Sequence, residues 1–203
     1  MSNELAVLQA VRLKGRPGPA DVAAATGLPE SEALGVLGTL VEAGTSKELN
    51  GRFMLTPEGR EHLNALIAAE RESVDQDALR AAYEEFDEHN TALKQVVTAW
   101  QMRDGEPNDH TDATYDAGVV EQLAALHERF APLVDRMVAA APRLAPYPAR
   151  FANAIAQVQA GDHSFIARPI ADSYHTVWFE LHEDLIGLLG LSRQEEAASG
   201  RAE

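Results

Sequence analysis

One dipeptide constrains the first third of this chain more than any other feature: Asn50-Gly51. Both residues tolerate a positive φ, which a two-residue type I′ turn demands at its two central positions. The flanks, Lys47-Glu-Leu49 and Arg52-Phe-Met-Leu55, read as two short strands, so the dipeptide predicts a β-hairpin. Thr56 suits an N-cap and Pro57 a first helical position, so a helix follows at once. Upstream, Asn3 to Leu13 places Leu5, Leu8 and Val11 at helical spacing and stops at Lys14-Gly-Arg-Pro-Gly18. Pro19 to Thr26 is a second, short helix closed by Gly27. Leu28-Pro29 leads into a third, from Glu30 to Ala43, with Ala33, Leu37, Leu40 and Val41 inward and Gly44 at its end. Two short helices joined by a glycine turn, then a hairpin, make a winged helix-turn-helix.

Residues Leu40-Val-Glu-Ala-Gly44 and Phe53-Met-Leu-Thr-Pro-Glu-Gly-Arg60 carry a resemblance. The run is similar to the winged-helix domain of MarR-like and related transcription regulators. The resemblance implies that the third helix enters the major groove of double-stranded DNA and that the wing touches phosphates or the minor groove. It points to Ser31 and Thr39 for neutral contacts and to Lys47, Arg52 and Arg60 for phosphates, with Arg12, Lys14 and Arg16 also within the module. The sequence departs from that pattern in one respect. The outward positions of the third helix are Glu30, Ser31, Glu32, Gly35, Gly38, Thr39 and Glu42, without Lys or Arg. Phosphate contacts need cations, and base reading commonly uses Arg, Lys, Asn or Gln. The helix with Gly35 and Gly38 is therefore open to a second reading, as a protein-docking face.

Charge sharpens the point. Residues 1–72 hold 7 Lys/Arg against 10 Asp/Glu, and residues 73–203 hold 10 against 22, within a net charge of −15. An acidic second part repels nucleic acid, so any DNA contact is confined to the first. There is no cysteine, which excludes disulfides and thiolate chemistry and fits a reducing cytoplasm. No signal peptide or membrane-length apolar run is legible, so the sequence predicts a soluble, cytoplasmic protein with no membrane partner.

Residues 73–193 read as an all-helical domain for ligand sensing or dimerisation, with residues 194–203 as a flexible tail; the fold class is mainly α. Asp75 to Met102 is the most regular helix, with Leu79, Phe86, Leu93 and Trp100 in one heptad row and Tyr83, Asn90 and Val97 in another. A polar loop with Asp109, His110 and Asp112 reads as a solvated turn. A helix from Tyr115 to Ala140 follows, with a stripe of Val120, Leu123, His127, Phe130, Val134 and Met137. Pro142, Pro146 and Pro148 bracket a break before a short helix that carries Phe151, Ile155 and Val158. The last helix is predicted from Pro169 to Leu189, with Ile170, Tyr174, Val177, Leu181, Leu185 and Leu188 in one stripe and His175, Trp178 and His182 beside it.

Polar groups on these apolar stripes are the candidate ligand-binding residues: Asn90, Trp100, His127, Tyr174, His175, Trp178 and His182. Aromatic walls with a few polar groups suit an aromatic or acidic small-molecule effector. The same groups also fit a satisfied core. A metal held by His127, His175, His182 and Asp172 is disfavoured by the seven-residue spacing of His175 and His182, and no cofactor is predicted. Glu180, Glu183 and Asp184 read as an exposed acidic face. No phosphate loop or nucleophile elbow supports catalysis, so the chain reads as a non-enzymatic regulator, with a His-based enzyme as a remote alternative. Two winged helices in a homodimer suit a dyad operator.

Overall fold

The computed structural model describes residues 3–169 and 171–192; the predicted tail and the stripe position Ile170 lie outside the described residues. The first elements are α1 (Asn3–Lys14), α2 (Pro19–Thr26), α3 (Glu30–Glu42), β1 (Ser46–Leu49), β2 (Arg52–Leu55) and α4 (Pro57–Arg71). There follow α5 (Gln76–Gln101), β3 (Met102–Arg103), β4 (Glu106–Pro107), α6 (Ala113–Ala140), α7 (Tyr147–Gln159) and α8 (Tyr174–Leu189). The architecture is a winged helix-turn-helix followed by an all-helical part, as the patterning predicts. Two compact units are formed: the described residues to Val74 with Gly187–Gly190, and Asp75–Ile186.

In the first unit, Leu5, Leu8, Val11, Val22, Leu37, Leu40, Phe53 and Leu63 form one buried core. The hairpin pairs Lys47 with Met54 and Leu49 with Arg52, so these four share a face, while Ser46, Phe53 and Leu55 turn inward. Asn50 and Gly51 have φ of 53° and 72°, the two left-handed positions that the turn requires. Phe53 N–H donates to Pro17 C=O at 2.9 Å, tying the wing to the loop before α2. The Thr-Pro-Glu-Gly run has a structural cause. Thr56 Oγ1 accepts from Gly59 N–H at 3.0 Å and donates to Gly44 C=O at 2.8 Å. A Cβ on Gly59 would lie 1.8 Å from the Thr45 carbonyl oxygen, so only glycine lets α4 start this close to the end of α3.

In the second unit, α5 and α6 lie antiparallel. Asp75 N–H at the start of one bonds Ala140 C=O at the end of the other at 3.2 Å, while a ribbon of two-residue strands joins their opposite ends. That ribbon corrects the prediction of a plain loop. Aromatic rings fill the interior. Trp178 lies 4.1 Å from Phe130 and 4.9 Å from Phe86 between ring centroids, and Phe151 meets Phe130 edge-on at 5.4 Å.

Three further expectations are corrected. On α6 the buried row contains Val119 and Leu126, and Val120 and His127 sit half-buried at its edge. Helix α7 starts at Tyr147, with Pro148 in its first turn where a missing N–H costs nothing. Helix α8 starts at Tyr174, not near Pro169: Ser173 Oγ accepts from Thr176 N–H at 3.3 Å, and Ile166 C=O takes the His175 N–H at 3.1 Å. These bonds hold the preceding residues in turns.

Candidate nucleic-acid interface and ligand cavity

The exposed face of α3 carries the predicted residues. Glu30, Ser31, Glu32, Gly35, Gly38, Thr39 and Glu42 are all exposed, as is Leu34 at 50%. Thr39 donates its hydroxyl to Gly35 C=O at 3.2 Å, leaving its oxygen as an outward acceptor. Lys47 and Arg52 are exposed on the outer face of the wing, and Arg60 is exposed on the first turn of α4. Arg52 is not a loose cation. Its guanidinium bonds Asp21 Oδ2 at 3.0 Å and Arg16 C=O at 3.4 Å, while the same Asp21 oxygen accepts from Gly18 N–H at 2.8 Å. Sequence reasoning missed this partner. Asp21 stands in the first turn of α2 because it favours the positive helix end, and that placement also holds Arg52 beside α2. Both side chains are about half exposed, so the pair is weak enough to exchange for a phosphate.

Residues 3–45 match the family model of the IclR helix-turn-helix domain. The first unit is a winged helix-turn-helix domain of the kind carried by DNA-binding transcription regulators. Neither the curated proteins nor the solved structures gave a match for the chain. No helix among the described residues is long and apolar enough to cross a membrane.

The ligand-binding candidates divide among three places in the second unit. Asn90, His175, Trp178 and His182 line one cavity of about 130 Å³, together with Lys94 and Phe179. Trp178 Nε1–H donates to Asn90 Oδ1 at 2.9 Å, and His182 Nε2 lies 3.0 Å from the Tyr83 hydroxyl. The heptad position of Asn90 thus serves a buried indole and a cavity wall together. His127 and Tyr174 stand apart from this cavity, His127 Nδ1 lying 3.3 Å from the Tyr174 hydroxyl. Burial holds the His127 imidazole below its ordinary pKa, against the opposing pull of Glu128, and burial raises that of the Tyr174 phenol. Trp100 lines a separate cleft. Lys94 was missed, although it lies one helical turn from Asn90 and shares its face.

The predicted acidic face on α8 is corrected outright. Glu180 and Asp184 are buried, at 2% and 3% exposure. Arg150 on α7 bonds Glu180 at 2.5 Å and grips Asp172 through two nitrogens, at 2.9 and 3.0 Å. Asp184 accepts from Arg143 at 2.8 Å and from the Tyr147 hydroxyl at 2.6 Å. Burial, then the Asp184 charge, raises the Tyr147 phenol well above its ordinary pKa. Burial alone would lower the Arg150 pKa; its bond to Asp172 and the Glu180 charge outweigh that and raise it. Asp172, a metal candidate beside His175 in the sequence, is a partner of Arg150. No group of three or more metal-ligating side chains occurs among the described residues.

Proposed function

We propose that this chain is a transcription regulator: its winged helix binds double-stranded DNA, and its helical unit holds a small-molecule effector. The observation that carries the reading is the winged helix-turn-helix itself, with Ser31 and Thr39 on the exposed face of α3 and Lys47 and Arg52 on the outer face of the wing. The match of residues 3–45 is to the IclR helix-turn-helix domain, a different family from the MarR-like regulators that residues 40–60 resemble; it supports the regulator reading and not the MarR-like one. Since α3 presents no cation, Lys47, Arg52 and Arg60 supply the phosphate contacts, and Ser31 and Thr39 the neutral ones. A homodimer would double those few contacts.

The cavity beside Asn90 is the effector site of this reading. Its volume, about 130 Å³, is close to the roughly 150 Å³ that holds one benzene ring. Trp178 and Phe179 supply ring surfaces, Lys94 a positive charge, and His175 and His182 hydrogen bonds, which suits a single aromatic ring bearing an acidic group. The domain limits, residues 1–72 for DNA and 73–193 for sensing and dimerisation, belong to the same proposal.

A mobility-shift assay on the gene's own upstream DNA tests the reading. Binding at low salt that Lys47→Ala and Arg52→Ala weaken supports it. No shift at any salt contradicts it. The second reading, α3 as a protein-docking face, is favoured by the half-exposed Leu34 between Ser31 and the open glycines Gly35 and Gly38.

A further inference from the structure

The loop read from the sequence as a solvated turn builds one side of a second cleft in the helical unit. This cleft, of about 660 Å³, is lined by Trp100 at the end of α5, His110, the first turns of α6, the end of α7 and His163. Three rings gather there. The His110 and Trp100 centroids are 4.3 Å apart, and His163 meets the same indole edge-on at 5.3 Å.

His110 is exposed yet held in place. Its backbone sits at φ 57°, a left-handed conformation uncommon in non-glycine residues though more frequent for histidine than for most. Its Nδ1 lies 3.0 Å from Asp116 Oδ2, and its N–H donates to Asn108 Oδ1 at 3.2 Å. Asn108 in turn donates to Asp116 Oδ1 at 2.9 Å and to Trp100 C=O at 3.2 Å. The buried Asp116 thus orients the imidazole against the indole, while its own charge stays at the cleft wall. Glu121, exposed one turn and a residue further along α6, adds a second carboxylate. Val120 and Val158 supply the apolar lining. Neither Lys nor Arg lines the cleft among the described residues.

We propose that this cleft binds an organic ammonium ion with apolar substituents, held against the Trp100 indole beside the Asp116 and Glu121 carboxylates. The chemistry selects the sign of charge. The face of an indole carries negative potential and attracts ammonium groups more strongly than other aromatic side chains do, and the nearby carboxylates add to that attraction. A carboxylate or phosphate ligand would meet the Asp116 and Glu121 carboxylates in a part of the chain whose net charge is already strongly negative. The cleft therefore has the opposite preference to the cavity beside Lys94, and the proposal stands whether or not that cavity takes an effector.

Calorimetric titration of the full chain with benzyltrimethylammonium tests it, with benzoate as a ring of similar size and opposite charge. Saturable binding of the cation is expected, whereas any benzoate heat belongs to the cavity beside Lys94 and should be unchanged by Trp100→Leu and Glu121→Arg. Trp100→Leu should weaken the cation roughly tenfold. Glu121→Arg, an exposed change that leaves folding intact, should weaken it by at least as much by placing a like charge at the rim. A titration without saturation overturns the proposal, as does cation binding that Glu121→Arg leaves unchanged.

Discussion

Replacing Gly59 by alanine sets two known effects against each other. Helix propensity alone favours alanine by about 1 kcal/mol. The structure opposes it: the new Cβ would stand 1.8 Å from the Thr45 oxygen and 2.7 Å from its carbonyl carbon, where ordinary contact begins near 3.4 Å. The first turn of α4 would have to retreat by roughly 1.6 Å, the difference between 1.8 and 3.4 Å. That retreat breaks the Thr56 N–H bond to Thr45 C=O at 3.2 Å and the Thr56 hydroxyl bond to Gly44 C=O at 2.8 Å. Each is worth about 1 kcal/mol. Overpacking adds about 1–3 kcal/mol. After subtracting the propensity gain, a net loss of about 2–4 kcal/mol is expected. Both tryptophans, Trp100 and Trp178, report on the other unit, so the assay is hydrogen exchange read on peptides from residues 3–74. An opening free energy unchanged, or raised by the propensity term, would refute the close-approach reasoning.

Other perturbations test the helical unit. Arg150→Ala strands Glu180 and Asp172, and an unfolding free energy lower by about 3–5 kcal/mol is expected from urea denaturation; a loss under about 1 kcal/mol would show the network to be dispensable. Asn90→Ala removes the acceptor of the buried Trp178 N–H, for a loss of about 1–3 kcal/mol, and weakens an aromatic acid at the cavity as measured by calorimetry. Acid should destabilise the protein through His127. Its folded pKa lies below the ordinary 6.5 because of burial, so its contribution is complete above that value and is lost as pH falls through the folded pKa. His127→Gln should flatten the decline in urea midpoint below pH 6.5, leaving the share of His89, which burial also lowers. An unaltered pH profile would contradict the assignment.

The parts of the fold legible in the sequence are those set by local rules. The Asn50-Gly51 turn, the Pro19–Thr26 helix and the heptad rows of α5 each follow from residues within a few positions of one another. What escaped depends on partners distant in sequence. Glu180 and Asp184 look like a charged surface until Arg150 and Arg143, on the preceding helical segments, are brought against them. Asp21 serves a local purpose at the start of α2, so its grip on Arg52 leaves no periodic trace. The shift of the α6 stripe from His127 to Leu126 has a related cause. The helix packs against both α5 and α7, so its buried arc is set by two neighbours rather than by its own periodicity, and His127 falls at the edge of that arc.

The site was legible by type more than by grouping. Asn90, His175, Trp178 and His182 converge because i, i+3, i+4 and i+7 spacings on two helices bring them to facing sides. Trp100 shares the heptad row of Leu93 but lies at the end of α5, where the ribbon diverts the chain and a different set of neighbours takes over. His110 gave no periodic signal because its position depends on a left-handed backbone and a side-chain network.

Salt dependence of DNA binding tests the central claim most directly. Fluorescence anisotropy with the gene's own upstream duplex, across a range of salt, should show affinity falling linearly on a logarithmic plot as counterions are released. The slope should become shallower by about 1 when Lys47 is replaced by alanine, since one phosphate contact is lost per site. Affinity indifferent to salt, or no binding in dilute buffer, would contradict the claim that α3 and the wing of this chain grasp a DNA duplex.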